Sequence, residues 1–324
     1  MGKIAVTLQQ ALARRERDGA RGGVASRVLA AGNGWNVADL LCTFGPRDPS
    51  FEERHDGVCI AMVVAGSFDY RAAPGRELLT PGALLLGNTG ECFECGHRHG
   101  PGDRCIAFRY APGYFERLAA DAGLAGGQLN FRCASVPALR KLAPLIARAC
   151  VATSGASSEG NAGDESERAE SAESTENGTG ARQSAWGELA VELATATLHV
   201  AGALTHAPAP ASATARSRVA QIVRLIDDTP GAPHTLTNLA AAAGVSDFYF
   251  LRTFQQVTGV TPHQYLLRAR LRAAALRLRD GDEKIVDIAL DCGFNDLSNF
   301  NHAFRAEFAA SPRTWRARGG ALRS

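Results

Sequence analysis

An α+β chain is predicted, with a strand-rich first part, a helical hairpin and an all-helical last third. Three observations predict it. Short apolar runs broken by Gly, Pro and Asp fill the region from about Val24 to Tyr110. Two amphipathic stretches flank a segment that is acidic and nearly free of apolar residues. One pattern of helix, glycine and helix then occurs twice after residue 217. The 324 residues, 45% hydrophobic, are too many for one small core and suit two domains; that hydrophobic share also excludes a chain disordered throughout.

Residues 1–23 read as a loose arm with helical potential. They carry charges where a signal peptide needs an apolar core. No run of about 18 apolar residues lacks a charge or a turn signal, so no membrane span is predicted. A cytoplasmic protein is expected, its eight cysteines held as thiols or metal ligands rather than as a disulfide framework.

In residues 24–135 the apolar runs are VCIAMVV, ALLLG and CIAFRY. Phe68 and Tyr70 alternate with polar residues, and Pro74-Gly75 and Pro81-Gly82 mark turns. Strands about every ten residues predict a small antiparallel barrel or sandwich. A helix follows over Val136–Ala152, capped by Ser135 with Pro137 in its first turn, and Leu139, Leu142, Leu145 and Ile146 share a face. A second helix over Ala185–Leu204 groups Trp186, Leu189, Leu193, Ala196 and Leu198. The hairpin 136–205 thus holds an insert, about 153–184, that is expected to be disordered. HAPAPASATARS reads as a Pro/Ala hinge, so 206–216 is the expected linker.

Beyond the linker, Leu236–Tyr265 and Ile285–Trp315 are two copies of one pattern. Gly244 matches Gly293 at an offset of 49 and Pro262 matches Pro312 at an offset of 50. Thr235 and Ser246 are candidate caps, and Gly244 sits past a helix end, where a left-handed residue is favoured. Phe250 and Phe254, like Phe294, Phe300 and Phe304, are read as core. Asp247, Phe248, Leu251, Arg252 and Gln255 face outward on the first unit's second helix. Asp296, Leu297, Ser298, Asn299, Asn301 and His302 do so on the second. Arg, Asn and Gln can hydrogen-bond base edges in a major groove, and apolar side chains can meet thymine methyls. One long helix, Thr261–Asp280, capped by Thr261 and carrying Arg268, Arg270, Arg272, Arg277 and Arg279, would hold the two units at a fixed separation.

Charge agrees with this without deciding it. From Thr214 onward fourteen Arg and one Lys stand against ten Asp and Glu, a net +5, while the preceding 213 residues carry −3. A basic tail on a weakly acidic body suits a polyanion, and equally a solvated helical face.

The residues 217–318, through AAAAGVS, FLRTFQQVTGVTPHQYLLRARL, IALDCGF, SNFNHAFR and SPRTW, resemble the DNA-binding domain of the AraC/XylS family of bacterial transcription regulators. The resemblance implies base reading by Phe248, Leu251 and Arg252 in one unit and by Ser298, Asn299 and His302 in the other; Gln255 joins them from its outward placement. Two departures stand out. Arg is usual at the position of His302, and a glycine is usual at the position matched here to Ala310. More loosely, AMVVAGSFDY and LLTPGALLLGNTG resemble the cupin-like β-barrel sensor that many members carry, with 136–205 as its dimerising hairpin. The implied partners are promoter or operator double-stranded DNA, an unknown effector, RNA polymerase and a second copy of the chain.

One further segment, GECFECGHRHGPGDRC (Gly90–Cys105), concentrates Cys and His. Cys95, His97 and His99 share parity and would point one way from a strand. Cys92 and Cys105 lie near in sequence, and His55 could arrive from a neighbouring strand. Thiolate with imidazole suits zinc or another transition metal. Gly96 and Gly100 oppose a regular strand, however, and the spacing matches no zinc ribbon. A thiol sensor, with Cys92 or Cys95 activated by Arg98 and His97, and a loop without ligand are the alternatives. Cys42, Cys59, Cys133, Cys150 and Cys292 read as small core residues. The same Cys95, His97, His99 and His55 set could serve a cupin-type metal enzyme, but the Glu that usually follows His-x-His is missing. No Ser-His-Asp set, phosphate loop or dinucleotide fingerprint is seen, so a regulator rather than an enzyme is expected.

Overall fold

The computed structural model describes residues 3–123, 130–155, 172–203, 211–280 and 283–320. A helix, α1 (Lys3–Asp18), leads into nine strands: β1 (Val24–Gly32), β2 (Trp35–Cys42), β3 (Phe51–Arg54), β4 (Val58–Gly66), β5 (Phe68–Ala72), β6 (Gly75–Leu79), β7 (Leu84–Gly87), β8 (Cys92–Gly96) and β9 (Asp103–Tyr110). Then come α2 (Pro112–Asp121), the two-residue β10 (Ser135–Val136), α3 (Ala143–Gly155) and α4 (Ala172–Ala203). The last third is helical: α5 (Ala213–Asp228), α6 (Leu236–Ala242), α7 (Asp247–Thr258), α8 (Pro262–Asp280), α9 (Ile285–Asp291), α10 (Leu297–Phe308) and α11 (Pro312–Gly320). Among the described residues, no helix is long and apolar enough to cross a membrane.

The strands form two antiparallel sheets, ordered β1-β2-β9-β4-β7-β10 and β3-β8-β5-β6. No hydrogen-bonded strand pair joins the two sheets among the described residues, so the arrangement is a sandwich and the expected closed barrel is not formed. The central strands β4 and β9 of the larger sheet are buried on both faces, which explains the unbroken apolar run of β4, whereas the edge strand β1 is largely exposed. Ile60 and Met62, with Ile106 and Phe108 of β9, pack against α2, α3 and α4 through Phe115, Ile146, Trp186 and Leu193. Their alternates Cys59, Ala61, Val63, Cys105 and Ala107 face Phe68, Tyr70 and Cys95 of the smaller sheet.

The hairpin differs from expectation at both ends of its loop. Ser135 and Val136 do not start a helix; they pair with Leu85 and Leu84 of β7, and Val136 is fully buried. Pro137 biases Val136 toward extended backbone, and the sheet edge rewards that conformation. Leu139 is extended too, and α3 starts only at Ala143, with Pro144 in its first turn. At the other end α4 begins at Ala172, so 172–184 of the expected disordered insert is helical. A helix already anchored by packed residues such as Trp186 and Leu189 lengthens by one hydrogen bond per residue fixed. Residues 153–155 of the insert are helical too, as the end of α3; the remainder, 156–171, lies outside the described residues, as do residues 204–210 of the linker region. Ser212 caps α5 by accepting from the Ala215 N–H (3.2 Å), which makes 213–216 helical rather than linker.

The C-terminal helices make two aromatic cores. Phe250, Phe254 and Tyr265 pack tilted and edge-on in one at centroid spacings of 5.5 and 5.7 Å. Phe294, Phe300, Phe304 and Phe308 run through the other at 5.1, 5.4 and 4.5 Å. Thr235, Ser246 and Thr261 each accept a backbone N–H at a helix start, and Asp296 caps α10 in the second unit. The turn glycines Gly244 and Gly293 take φ of +67° and +87°.

The helix end after α10 moves the expected turn position by one residue. The left-handed residue that answers Gly259 (φ +73°) is Ala309 (φ +52°), whereas Ala310 is a buried member of the second core. An L-residue with a Cβ pays a steric penalty there that glycine avoids. Ala309→Gly is therefore expected to stabilise the chain by roughly 0.5–1 kcal/mol in denaturant unfolding, after allowance for glycine's larger unfolded-state entropy. A loss of stability would contradict this placement of the turn.

Candidate functional site

Burial of the two aromatic cores decides which side chains α7 and α10 leave outside. On α7 the third- and fourth-spaced Phe250, Thr253, Phe254 and Val257 are buried. Phe248 is 77% exposed, Arg252 and Gln255 are exposed, and Leu251 is half-buried. Among the described residues Arg252 makes no hydrogen bond or ion pair, so its guanidinium keeps all of its donors. On α10, Phe300, Phe304, Glu307 and Phe308 are buried while Ser298, Asn299 and His302 are exposed. The expected outward acids have other tasks. Asp247 accepts the Thr237 hydroxyl (2.7 Å), and Asp296 is the cap of α10.

The arginines of α8 are engaged inside the protein rather than arrayed for a polyanion. Arg270 donates to the carbonyls of Pro230 (2.9 Å) and Ala232 (3.0 Å), tying the loop before α6 to α8. Arg272 pairs with Asp227 of α5 (3.3 Å), and Arg268 with the buried Glu307 of α10 (3.4 Å). Arg277 bridges Glu283 and Asp291, and Arg279 also has an interaction partner. The surplus of Arg in this third of the chain therefore serves packing as much as surface charge. Sequence counting could not separate the two, because charge carries no information on direction.

Of the six Cys and His residues expected to converge, His97 and Cys105 meet on Asp103, while Cys92, His99 and His55 turn to other partners. Strand β8 ends at Gly96, so the parity that was to align Cys95, His97 and His99 is lost at the turn that follows. His99 turns to Asp69 of β5 (3.3 Å), which also faces Arg216 of α5 (3.6 Å). Cys92 is exposed on β8, opposite Arg54. His55 stacks on Phe93 (4.2 Å between centroids) and hydrogen-bonds the Tyr70 hydroxyl (3.0 Å), in space that a Cβ on Gly87 would fill. Cys95 is buried in the sandwich, where desolvation, helped by the negative charge of Asp103, drives its thiol well above the usual range; it is not an activated nucleophile.

What the fold does gather is a different set. His97 donates to or accepts from Asp103 across 2.6 Å, the Cys105 thiol donates to the other oxygen of Asp103 (3.2 Å), and Cys42 joins them. Only His97 and Cys105 of this group were singled out in the sequence. Cys42 and Asp103 are brought in by the β2–β9 register, which pairs them directly and which no local pattern announces. Cys42, Cys105 and Asp103 also line a cavity of about 180 Å³ between the sheets, together with Phe51, His55 and Arg109.

Comparison with known proteins bears on the C-terminal third. A helix-turn-helix domain family matches residues 239–318. The regulatory protein SoxS of Salmonella typhimurium is 34% identical over 97 residues, covering 30% of this chain and 91% of SoxS. The chain belongs to the AraC family. The transcriptional activator RhaS of Klebsiella pneumoniae is 38% identical over 97 residues, covering 30% of this chain and 35% of RhaS. Among solved structures, a transcriptional regulator from Chromobacterium violaceum described as having an AraC-type DNA-binding domain is 30% identical. It covers 33% of this chain and 96% of that one, with a TM-score of 0.32. The chain thus spans about a third of the length of RhaS, and the family match leaves the sandwich and its thiol cluster untouched.

In this AraC-family chain the buried His55 has a measurable consequence. Desolvation, and secondarily the charge of Arg109, lower its pKa to about 4, against the nearby Asp56. The unfolded chain, with a His pKa near 6.5, then binds the proton more readily than the native one. Stability should be full above about pH 6.5 and fall as the pH drops toward 4, by up to about 3 kcal/mol. Denaturant unfolding across that window should show a flatter profile for His55→Asn than for the wild type. Equal slopes would place the titration elsewhere.

Proposed function

We propose that this chain is a sequence-specific DNA-binding transcription regulator, and not an enzyme, with its N-terminal sandwich acting as a cupin-like sensor of an effector. The observation that carries the reading is the pair of helix-turn-helix units whose second helices turn Phe248, Leu251, Arg252 and Gln255, and Ser298, Asn299 and His302, toward solvent while their aromatic faces are buried. Double-stranded DNA is the ligand that uses such a surface: a helix fits the major groove, where Arg can bind guanine bidentately and Asn or Gln can bind adenine. Helix α8, about 28 Å long at 1.5 Å per residue, would set the two units on successive grooves of one duplex face, roughly 34 Å apart. His302, where family members usually have Arg, should read its base with a single ring N–H donor rather than a fork.

The sandwich supports the sensor half of the proposal through the cavity between its sheets, since two-sheet jelly rolls include the cupins. RNA polymerase, promoter or operator DNA and a second copy of the chain are the partners that the family resemblance supports. The metal-enzyme alternative loses its footing because Cys95, His97, His99 and His55 face different neighbours.

Arg252→Ala should weaken binding to a selected site by about 1–3 kcal/mol, roughly 5- to 150-fold, and relax preference at one base position, as read by gel shift on the site and its single-base variants. An equal loss on every sequence would make Arg252 a phosphate contact instead.

A further inference from the structure

The group at the rim of the sandwich cavity has the composition and convergence of a metal centre. Cys42 is the last residue of β2 and stands across the sheet from Asp103, the first of β9. Cys105 lies two residues further along β9, on the same face. His97 comes over from the turn after β8, in the opposite sheet, with Phe44 and Phe68 stacked on its ring at 6.4 and 6.0 Å. All four are at least nine-tenths buried. One donor atom from each of Cys42, His97 and Asp103 lies within 4.8 Å of the other two, and Cys105 Sγ is 3.2 Å from Asp103 Oδ2.

Two features are poorly explained by packing alone. The Asp103 carboxylate collects its hydrogen bonds from His97 and from thiols, and among the described residues no Lys or Arg pairs with it. The neighbouring Arg104 is turned to Asp39 on the other face of the sheet (2.8 Å). The second ring nitrogen of His97, Nδ1, is buried with no hydrogen-bond partner, although such groups are nearly always satisfied. A cation in the centre of the cluster would answer the buried carboxylate, and the imidazole would supply one of its ligands.

We infer that Cys42, His97, Asp103 and Cys105 form a four-coordinate site for zinc or a similar thiophilic divalent ion. Two sulfurs, one imidazole nitrogen and one carboxylate oxygen are a borderline-soft set that favours zinc over magnesium or calcium. Bonds of about 2.0–2.3 Å in a tetrahedron place ligand atoms roughly 3.3–3.8 Å apart, so adjustments of about an ångström bring Cys42, His97 and Asp103 together, while Cys105 Sγ, close to Asp103 but outside that mutual set, must swing further to complete the site. Binding exchanges the thiol protons of Cys42 and Cys105 for two metal–sulfur bonds and releases those protons to solvent, with no change of oxidation state. The cavity lined by Cys42, Asp103 and Cys105 gives the ion a way in. Nothing in this inference depends on DNA binding.

The test uses the full-length protein, reduced and stripped by a chelator, then titrated with Co²⁺. One cobalt per chain is expected, with a thiolate-to-cobalt charge-transfer band and the visible absorption of tetrahedral cobalt, both abolished by equimolar Zn²⁺. Cys42→Ser and Cys105→Ser should each weaken Zn²⁺ binding by more than about 100-fold, beyond what loss of an outer-sphere partner does, while Cys292→Ser, in the second C-terminal core, leaves it unchanged. Should either serine variant fail to fold, X-ray absorption of the zinc-loaded wild type decides, with two sulfur ligands expected. A wild type that takes up no cobalt, a zinc site without sulfur, or folded Cys42 and Cys105 variants that bind as tightly as the wild type would each overturn the assignment. So would a Cys42–Cys105 disulfide that forms in air and persists in excess Zn²⁺. A gel shift on the same preparations keeps the two readings apart, since a protein that takes up no metal yet still selects DNA retires the metal site alone.

Discussion

A single helix shared between two hydrophobic cores is the constraint on which the C-terminal third depends. The first half of α8 gives Tyr265, Leu266 and Ala269 to the core of α5, α6 and α7. Its second half gives Leu271, Ala274, Ala275 and Leu278 to the core of α9, α10 and α11. Neither unit can turn relative to the other without pulling apolar side chains of α8 out of a packed interior, and packed interiors deform poorly. The internal bonds of Arg270, Arg272, Arg268 and Arg277 add direction to that non-directional grip. Each reaches from α8 to a different neighbour: the loop before α6, then α5, α10 and the segment around α9.

The same units are docked on the rest of the chain. Ala147 and Val151 of α3 complete the second core, and Leu78 of β6 completes the first. Arg140 donates to the Ala306 carbonyl at 2.8 Å, Arg268 reaches the Ala138 carbonyl, and Pro137 occupies the space that a Cβ on Gly259 would need. Beside the thiol cluster, Gly100 makes room for the Arg224 guanidinium of α5, and Asp69 lies between His99 and Arg216. The turn that carries His97 is therefore only a few residues from the surface of α5. The cavity region and the helix-turn-helix third are in physical contact through named side chains, which is the material requirement for one to influence the other.

The C-terminal third was legible because its signals are local. Caps at Thr235, Ser246 and Thr261, the turn glycines and the spaced aromatics each act within a few residues, and the structure realises them in place. The helix predicted at 136–152 was misplaced where a long-range pairing, Val136 with Leu84, outweighed a plausible local cap. The site followed the same division. Exposed residues on α7 and α10 could be read from period alone, whereas the thiol cluster could not. Its membership is set by the register of β2 against β9, which promotes Cys42 from an assumed core residue and sends His99 and His55 elsewhere. Charge misled in one respect, since an Arg-rich helix looks alike in sequence whether its guanidinium groups face solvent or, as with Arg270 and Arg272, fold back on the protein.

The claim that two fixed units read one duplex is tested most directly by selecting bound sequences from a random DNA pool with the full-length chain. The account predicts two short conserved blocks, separated by about one helical turn, 10–10.5 base pairs between centres, at a constant spacing. A single block, a spacing that varies from one selected sequence to the next, or no enrichment at all would contradict it.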